Sequence, residues 1–445
     1  MLALDELAKH DYDTIIIAST DVQGRIFGRR IPLRRFLENP SEGTDICTCA
    51  LVWDITENLS QSVPFAGYHT GWHDFHLQPD LQTLRPYPGV TGTAIVMADI
   101  VDEHGDLLEI APRTILRRQV ERAQEHGFQV ALATELEFYL FRGDARTARL
   151  HRFQDLEPST LVRSDYSIVG QAGQEPFIRR IRQEMEAADI PILACQAEYG
   201  LGQWEVNFEH TNALEMADRH VIYKAGIKEM ALQEGLTLTF MAKPVATDMG
   251  SSCHIHCSLH TNDVPVFPRE SGSHHPSDLA RHFIGGQMQH LNESALFFAS
   301  YVNSYKRHAS EDFGGGINRW GFDNRTVAFR VVGAGPSLHL EHRYPGADVN
   351  PYLAAAAVIA AGLDGIDRDI DPGSPFVGNA YVATDLPRTP VSLGEALQVF
   401  EASEFITSSF GQDIVRHYAA HARGEWLGYL NTVTDWELIR AFDLA

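Results

Sequence analysis

Cysteine is scarce: the five residues Cys47, Cys49, Cys195, Cys253 and Cys257 are odd in number and include no C-x-x-C pair. That excludes a zinc ribbon and a disulfide framework, and a reducing cytoplasm is the expected setting. No uninterrupted apolar stretch approaches the ~18 residues of a membrane span, and the opening Met-Leu-Ala-Leu-Asp-Glu-Leu lacks a basic leader segment. Neither export nor membrane insertion is expected. Positive charge is short as well, with 36 Lys and Arg against 59 Asp and Glu, a formal charge of −23. Such a field disfavours nucleic acid and anionic membranes as partners. There is no G-x-x-x-x-G-K-[ST] and no strand-linked G-x-G-x-x-G. A bound polyanion such as ATP therefore has to be held by metals and arginines rather than by a glycine loop.

What is present is a chain of 445 residues, 44% hydrophobic, long enough for a small and a large domain. The apolar run from Thr14 to Ile31, broken at Asp21-Val-Gln-Gly24, predicts a β-hairpin. Further strands are predicted over 47–53 and 93–101. The segment 57–92, crowded with Gly, Pro, His and aromatics, reads as a long functional loop. Pro112, suited to the first turn of a helix, sets a boundary near 110, giving domains 1–109 and 110–445. Helices are expected over 113–126, 174–188, 212–234, 276–293, 350–363 and 392–402, the fifth capped by Asn350 ahead of Pro351.

The informative segments place polar residues on one face of a strand with period two. In Ala131–Phe141 Glu135 and Glu137 share a face; buried carboxylates two residues apart call for a cation. Glu198 and Glu205 flank a glycine-rich turn, with Gln203, Glu205 and Asn207 on one face. His254, His256 and Ser258 share a face, as do His339, Glu341 and Arg343, and Lys306, Arg307, Arg325 and Arg330 lie just upstream of the last set. Ala131, Ala133, Tyr139 and Phe141 on the side of Glu135 and Glu137 argue against a solvated face there, whereas the hairpin acids, a lone histidine or a separate arginine are each as well explained by a solvated or core side chain. Together they describe a hard-cation site beside an anion site, the combination phosphoryl transfer needs. Oxygen-rich ligands with one or two imidazoles favour Mg²⁺ or Mn²⁺ over structural zinc.

The order of these motifs resembles the glutamine synthetase family, bacterial type I, over nearly the whole chain. Glu135-Leu-Glu137-Phe, Glu198-Tyr-Gly-Leu-Gly-Gln-Trp-Glu205, Gly250-Ser-Ser-Cys-His254-Ile-His256-Cys-Ser258-Leu, Asn303-Ser-Tyr-Lys-Arg307, Asn324-Arg325 through Arg330, Glu341-His-Arg343 and Asn350-Pro-Tyr-Leu carry it. The resemblance implies an α+β fold, a small N-terminal β-grasp domain joined to a larger catalytic domain with a curved antiparallel sheet. It implies that Glu137, Glu198 and Glu205 hold one metal and Glu135, His254 and Glu341 a second. It places His256 and Ser258 in the nucleotide pocket, Arg325 and Arg330 at the phosphates, Arg307 and Arg343 at the carboxylate substrate beside Gly250, and Asp54 at the amine. It also implies a homo-oligomeric ring, hexameric or dodecameric, with active sites between neighbouring subunits.

Three departures bear on the substrate. The family's D-G-S-S becomes Asp54-Ile-Thr-Glu57, the Asn before the G-S-G element becomes Met249, and the flap P-G-Y-E becomes Ser310-Glu311-Asp312-Phe313. An aromatic ring at the flap suits an alkyl or aryl ammonium, with Asp54, Glu57, Glu311 or Asp312 left to accept its proton. These departures resemble the branch that makes γ-glutamyl amides from glutamate, ATP and a primary organic amine. An ammonia-assimilating glutamine synthetase is the alternative. A catalytically inactive relative would have to lose metal ligands, and none of the six is missing. An amidohydrolase would need further metal histidines, and a guanidino kinase leaves the small β-domain unexplained.

Overall fold

The computed structural model describes residues 2, 4–7, 11–60, 63–270, 272–309 and 313–445. The N-terminal sheet contains β1 (Thr14–Thr20), β2 (Ile26–Pro32), β3 (Thr44–Cys47), β4 (Asp74–Pro79), β5 (Arg85–Pro86) and β6 (Thr93–Val101). Their order is β2-β1-β6-β4-β3, with β5 on β6. The expected hairpin is β1–β2, and β1 also pairs in parallel with β6. Both central strands are apolar nearly throughout and buried, as a strand covered on two faces must be. Gly24, at φ +78°, turns the hairpin, and the Asp21 carboxylate fixes it by accepting from the N–H groups of Gln23 (3.0 Å) and Arg25 (2.9 Å).

Two expectations for this region are corrected. The strand placed over 47–53 is Thr44–Cys47, after which Thr48–Leu51 form a 3-10 turn. There the Cys47 sulfur accepts from Cys49 N–H, and Thr48 Oγ1 donates to the His73 carbonyl at 2.8 Å, which draws the chain out of the sheet. The stretch read as loop contains β4, whose Phe75, Leu77 and Pro79 are buried in strict alternation.

The larger sheet holds β7 (Gln129–Arg142), β8 (Ile192–Ala197), β9 (Gln203–Phe208), β10 (Thr211–Asn212), β11 (Leu236–Thr239), β12 (Cys253–Thr261), β13 (Val264–Pro265), β14 (Trp320–Phe322), β15 (Phe329–Val332) and β16 (His339–His342). The order is β14-β15-β16-β12-β7-β9-β8; β10 and β11 pair with β7, and β13 with β12. Every pairing is antiparallel except β14 with β15. The fold is α+β.

The six expected helices are Pro112–Glu125, Glu175–Ala187, Ala213–Gln233, Asp278–Phe298, Pro351–Asp367 and Leu393–Ala402. Asn350 caps the fifth by accepting from Tyr352 N–H. Three more, Glu404–Phe410, Gln412–Leu430 and Asp435–Ala441, follow where none was expected. No helix among the described residues is long and apolar enough to cross a membrane.

Helices Asp278–Phe298 and Pro351–Asp367 cross through glycines. A Cβ at Gly286 would lie 2.0 Å from the Ala361 carbonyl oxygen, and one at Gly365 2.2 Å from that of His282. Backbone cannot swing aside as a side chain does, so Gly286→Ala is expected to cost roughly 1–3 kcal/mol. Gly424→Ala, on helix Gln412–Leu430 where an added Cβ meets nothing within 4 Å, should gain about 0.5–1 kcal/mol. Thermal unfolding midpoints should move in opposite directions; a Gly286→Ala protein as stable as the wild type would refute the close crossing.

Candidate active site

Strand register builds the site. Directly opposed residues of an antiparallel pair share a face, and β7 carries Glu135 opposite His254 on β12 and Asn207 on β9. The next row sets Glu137 against Glu205, which faces Gln196 on β8. On the other side His256 opposes Glu341, and Glu341 opposes Arg330. The chain supplies five carboxylates and two imidazoles to one region, four of the acids from paired strands and Glu198 from the turn beyond β8.

The cluster has two electrostatic halves. In one, burial and mutual repulsion push Glu198 up to about 8 and Glu205 well above its ordinary value. Glu137 is raised by burial, although its Oε2 accepts from Ser252 N–H (2.9 Å) and Gln203 Nε2 (2.7 Å). Glu205 Oε1 accepts from Gln196 (2.5 Å) and Asn207 (2.9 Å). These donors are neutral, and the charges of Arg307 and Arg343 offset the burial of Glu137 only in part. In the other half, burial is outweighed by hydrogen bonds from His254 and His256, which hold Glu135 well below the carboxylate range. Burial of Glu341 is likewise outweighed by Arg343, His254, His256 and Arg330; Arg330 Nη1 donates to it at 2.7 Å.

The donor set fits hard divalent cations. Ligand atoms of Glu135, Glu205 and His254 lie within 4.8 Å of one another, as do those of Glu135, His256 and Glu341. His254 Nε2 is buried with no hydrogen-bond partner, while its Nδ1 is taken by Glu135 at 3.0 Å. Geometry thus also sets His256, expected at the nucleotide, within a metal-competent trio.

A cavity of about 650 Å³ covers the cluster, and Arg325, Arg330, Arg343, Gly250 and Phe313 reach its wall. An adjoining cavity of about 640 Å³ shares Glu135, Asn207 and Arg330 with it and is lined by His256 and Ser258. Phe313 is 45% exposed and at φ +62°; Ser310, Glu311 and Asp312 lie outside the described residues.

Two expected residues stand elsewhere. Arg307 is buried behind the wall, donating to Ser252 Oγ (2.7 Å), the Tyr344 carbonyl (2.8 Å) and the Arg343 carbonyl (3.0 Å). Its aliphatic stem fills the space above Gly250, where a Cβ would fall 2.7 Å from Arg307 Cγ. Asp54 lines a separate cavity, its carboxylate tied into a local turn by the N–H groups of Thr56 (2.7 Å) and Asn58 (3.0 Å). Conversely, the cavity includes Asp165, Tyr166 and Tyr199, which the sequence reading missed. Asp165 and Tyr166 sit in an irregular segment with no periodicity to mark them.

The model of the glutamine synthetase catalytic domain matches residues 109–441. The chain belongs to the glutamine synthetase family. It is 42% identical to the γ-glutamylethanolamide synthetase of Streptomyces coelicolor over 99% of this chain and 96% of that protein. It is 36% identical to a glutamate–isopropylamine ligase from Pseudomonas, over 99% and 97%, and 33% identical to the glutamine synthetase of Halobacterium salinarum, over 98% and 95%. Among solved structures, an ADP complex of GmaS superposes with a TM-score of 0.86 at 26% identity, covering 99% of both chains. Within the glutamine synthetase family this chain is a carbon–nitrogen ligase.

A proton must leave Glu198 before a cation can use its oxygens. Mn²⁺ affinity is therefore expected to fall by about tenfold or more per pH unit below about 8, with Glu198→Gln making the profile shallower while the raised Glu205 keeps part of it. The raised pKa also means that the folded, metal-free protein keeps a proton which the unfolded chain loses. Its stability should decline as pH rises from the ordinary carboxylate value to about 8, a decline that added metal removes. Mn²⁺ affinity unchanged over that range would contradict the assignment.

Proposed function

We propose that this enzyme forms a γ-glutamyl amide from glutamate and a primary organic amine, with ATP, through γ-glutamyl phosphate. The observation carrying the amine half is Phe313, on the cavity wall where the family's flap has a glutamate. The two relatives named for an ethanolamide and for isopropylamine support the same reading.

In this reading Glu137, Glu198 and Glu205 hold one Mg²⁺ or Mn²⁺, and Glu135, His254 and Glu341 another; bound there, the ions neutralise phosphate oxygens. Arg325 and Arg330 face the phosphates, and the adjoining cavity with His256 and Ser258 takes the nucleotide. Arg343 receives the glutamate carboxylate beside Gly250. Arg307 works from behind as a positioning residue, since it grips the carbonyl of Arg343 and the Ser252 hydroxyl. A side-chain carboxylate oxygen of glutamate attacks the γ-phosphorus, and the bond to ADP breaks. The neutral amine nitrogen then attacks the acyl carbon, phosphate leaves with the C–O bond's electrons, and the amine's surplus proton passes to an acid at the mouth.

Asp54 reaches a site in this scheme only from a neighbouring copy. That favours a cytoplasmic ring, hexameric or dodecameric, in which domain 1–109 packs beside the next subunit's domain 110–445. Mixed Asp54→Ala and Glu137→Ala subunits should then recover part of the activity each lacks alone. A fully active monomer would defeat the ring.

An amine panel scored by ADP release and product mass tests specificity. Ethanolamine and alkylamines should turn over and ammonia poorly. Phe313→Glu should lower kcat/KM for the organic amine by roughly 10- to 200-fold. Efficient use of ammonia alone would instead establish an ordinary glutamine synthetase.

A further inference from the structure

Beneath the turn of the N-terminal hairpin lies a cavity of about 710 Å³, walled by that turn, by helix Ala213–Gln233 and by helix Gln412–Leu430. Four cations reach it, Arg25, Lys224, Lys228 and Lys306, against two carboxylates, Asp348 and Glu425. Lys224 and Lys228, four residues apart on one helix, hold their ammoniums 5.1 and 5.6 Å from the centroid of the same Phe240 ring. Like charges at that spacing repel, and Arg25 adds to the repulsion on Lys228.

The partners of these cations are unevenly shared. Arg25 is paired with Asp21 at 2.8 Å. Lys224 donates to the carbonyls of Ala347 (2.9 Å) and Val349 (3.4 Å), which hold it in place without cancelling its charge. Asp348 is turned toward the Ser304 hydroxyl at 2.7 Å. Among the described residues the ammoniums of Lys228 and Lys306 meet no carboxylate and no hydrogen-bond acceptor, and both side chains are open to solvent. A solvated lysine at a cavity mouth explains one of these groups. It does not explain why a chain with 36 cations and 59 acids gathers four cations around one cavity, two of them over one aromatic ring.

We propose that this cavity binds a small organic dianion, a phosphate monoester or a dicarboxylate, between Lys228 and Lys306, with Arg25 and Lys224 flanking it. Two negative charges match the two ammoniums, Lys228 and Lys306, that meet no acceptor among the described residues. Phe240, Tyr301 and Val302 offer an apolar surface to the ligand's body. The site is separate from the catalytic cavity, with which it shares no wall residue. It adjoins that cavity through the short helix Ser304–His308, whose Lys306 faces the dianion site while Arg307 grips Ser252 on the catalytic side.

Isothermal titration on the assembled enzyme, its catalytic site saturated with ADP and glutamate, tests this with glycerol 3-phosphate and succinate as separate probes. One or both should bind once per chain, and which of them binds names the class. Lys228→Gln should weaken that binding about tenfold or more, the loss expected for one charge-assisted hydrogen bond. Lys228→Arg should stay within about threefold. Turnover without probe should be unchanged in both variants. No binding of either probe, or equal affinity in the wild type and Lys228→Gln, would overturn the proposal, including the case in which a neighbouring subunit fills the cavity.

Discussion

Glu137, Glu198 and Glu205 gather where β7, β9 and the turn after β8 meet, hydrogen-bonded by neutral donors, and burial raises all three pKa values. A protein of this size is stable by only about 5–15 kcal/mol, so carboxylates pressed together in a low-dielectric site either keep protons, as the raised values of Glu198 and Glu205 indicate, or take up a cation. The surroundings show how the strain is contained. Gln196, Asn207, Gln203 and the Ser252 N–H orient the oxygens without cancelling their charge. The ion pairs of Arg330 and Arg343 fall in the other half, on Glu341, and the charges of Arg307 and Arg343 only partly offset the burial of Glu137. Had Arg330 or Arg343 been paired with the acidic trio, the chain would have satisfied itself and left nothing for a cation to do.

That division depends on register. A slip of one residue between β7 and β12 would turn His254 and His256 to the apolar face and bring Ile255 and Cys257 into the site. Leu132, Leu136, Phe138 and Leu140 of β7 are each buried to within 2% and make such a slip costly. Hydrophobic patterning therefore fixes the geometry of the carboxylate and histidine cluster indirectly, by deciding which way each side chain points. Gly250 serves the same end from outside the sheet, because only a missing Cβ lets the Arg307 stem lie against it and reach three acceptors beyond.

The strand-borne part of the site was legible for this reason. Period-two alternation in Ala131–Phe141, Cys253–Leu259 and Leu338–Arg343 states the facing directly, and the register joins those faces as the alternation implied. β4 was hidden because its alternation, Phe75-His-Leu77-Gln-Pro79, lies in a stretch whose glycines, prolines and histidines read as loop. The helices after Ala402 were missed because Gly411, at φ +91°, divides the segment into pieces whose apolar stripes are short. Arg307 was placed at the substrate because a motif gives a residue's position in the chain and not the direction of its side chain. Its burial against three oxygen acceptors is a tertiary fact.

The two halves of the chemistry thus rest on different kinds of structure. Phosphoryl transfer needs charges fixed to within fractions of an ångström, and the chain puts most of those groups on hydrogen-bonded strands with satisfied partners. The proposed acceptor choice rests on Phe313, held in a left-handed backbone conformation costly for an aromatic residue and sharing its cavity with the irregular segment of Asp165 and Tyr166, and on a turn, Asp54–Asn58, that lines a separate cavity. None of these touches the register of the sheet. Loop substitutions can therefore reshape the cavity wall while the strand-borne carboxylates and histidines stay in place, and the family motifs stay readable in a chain whose flap and D-G-S-S segments have both changed.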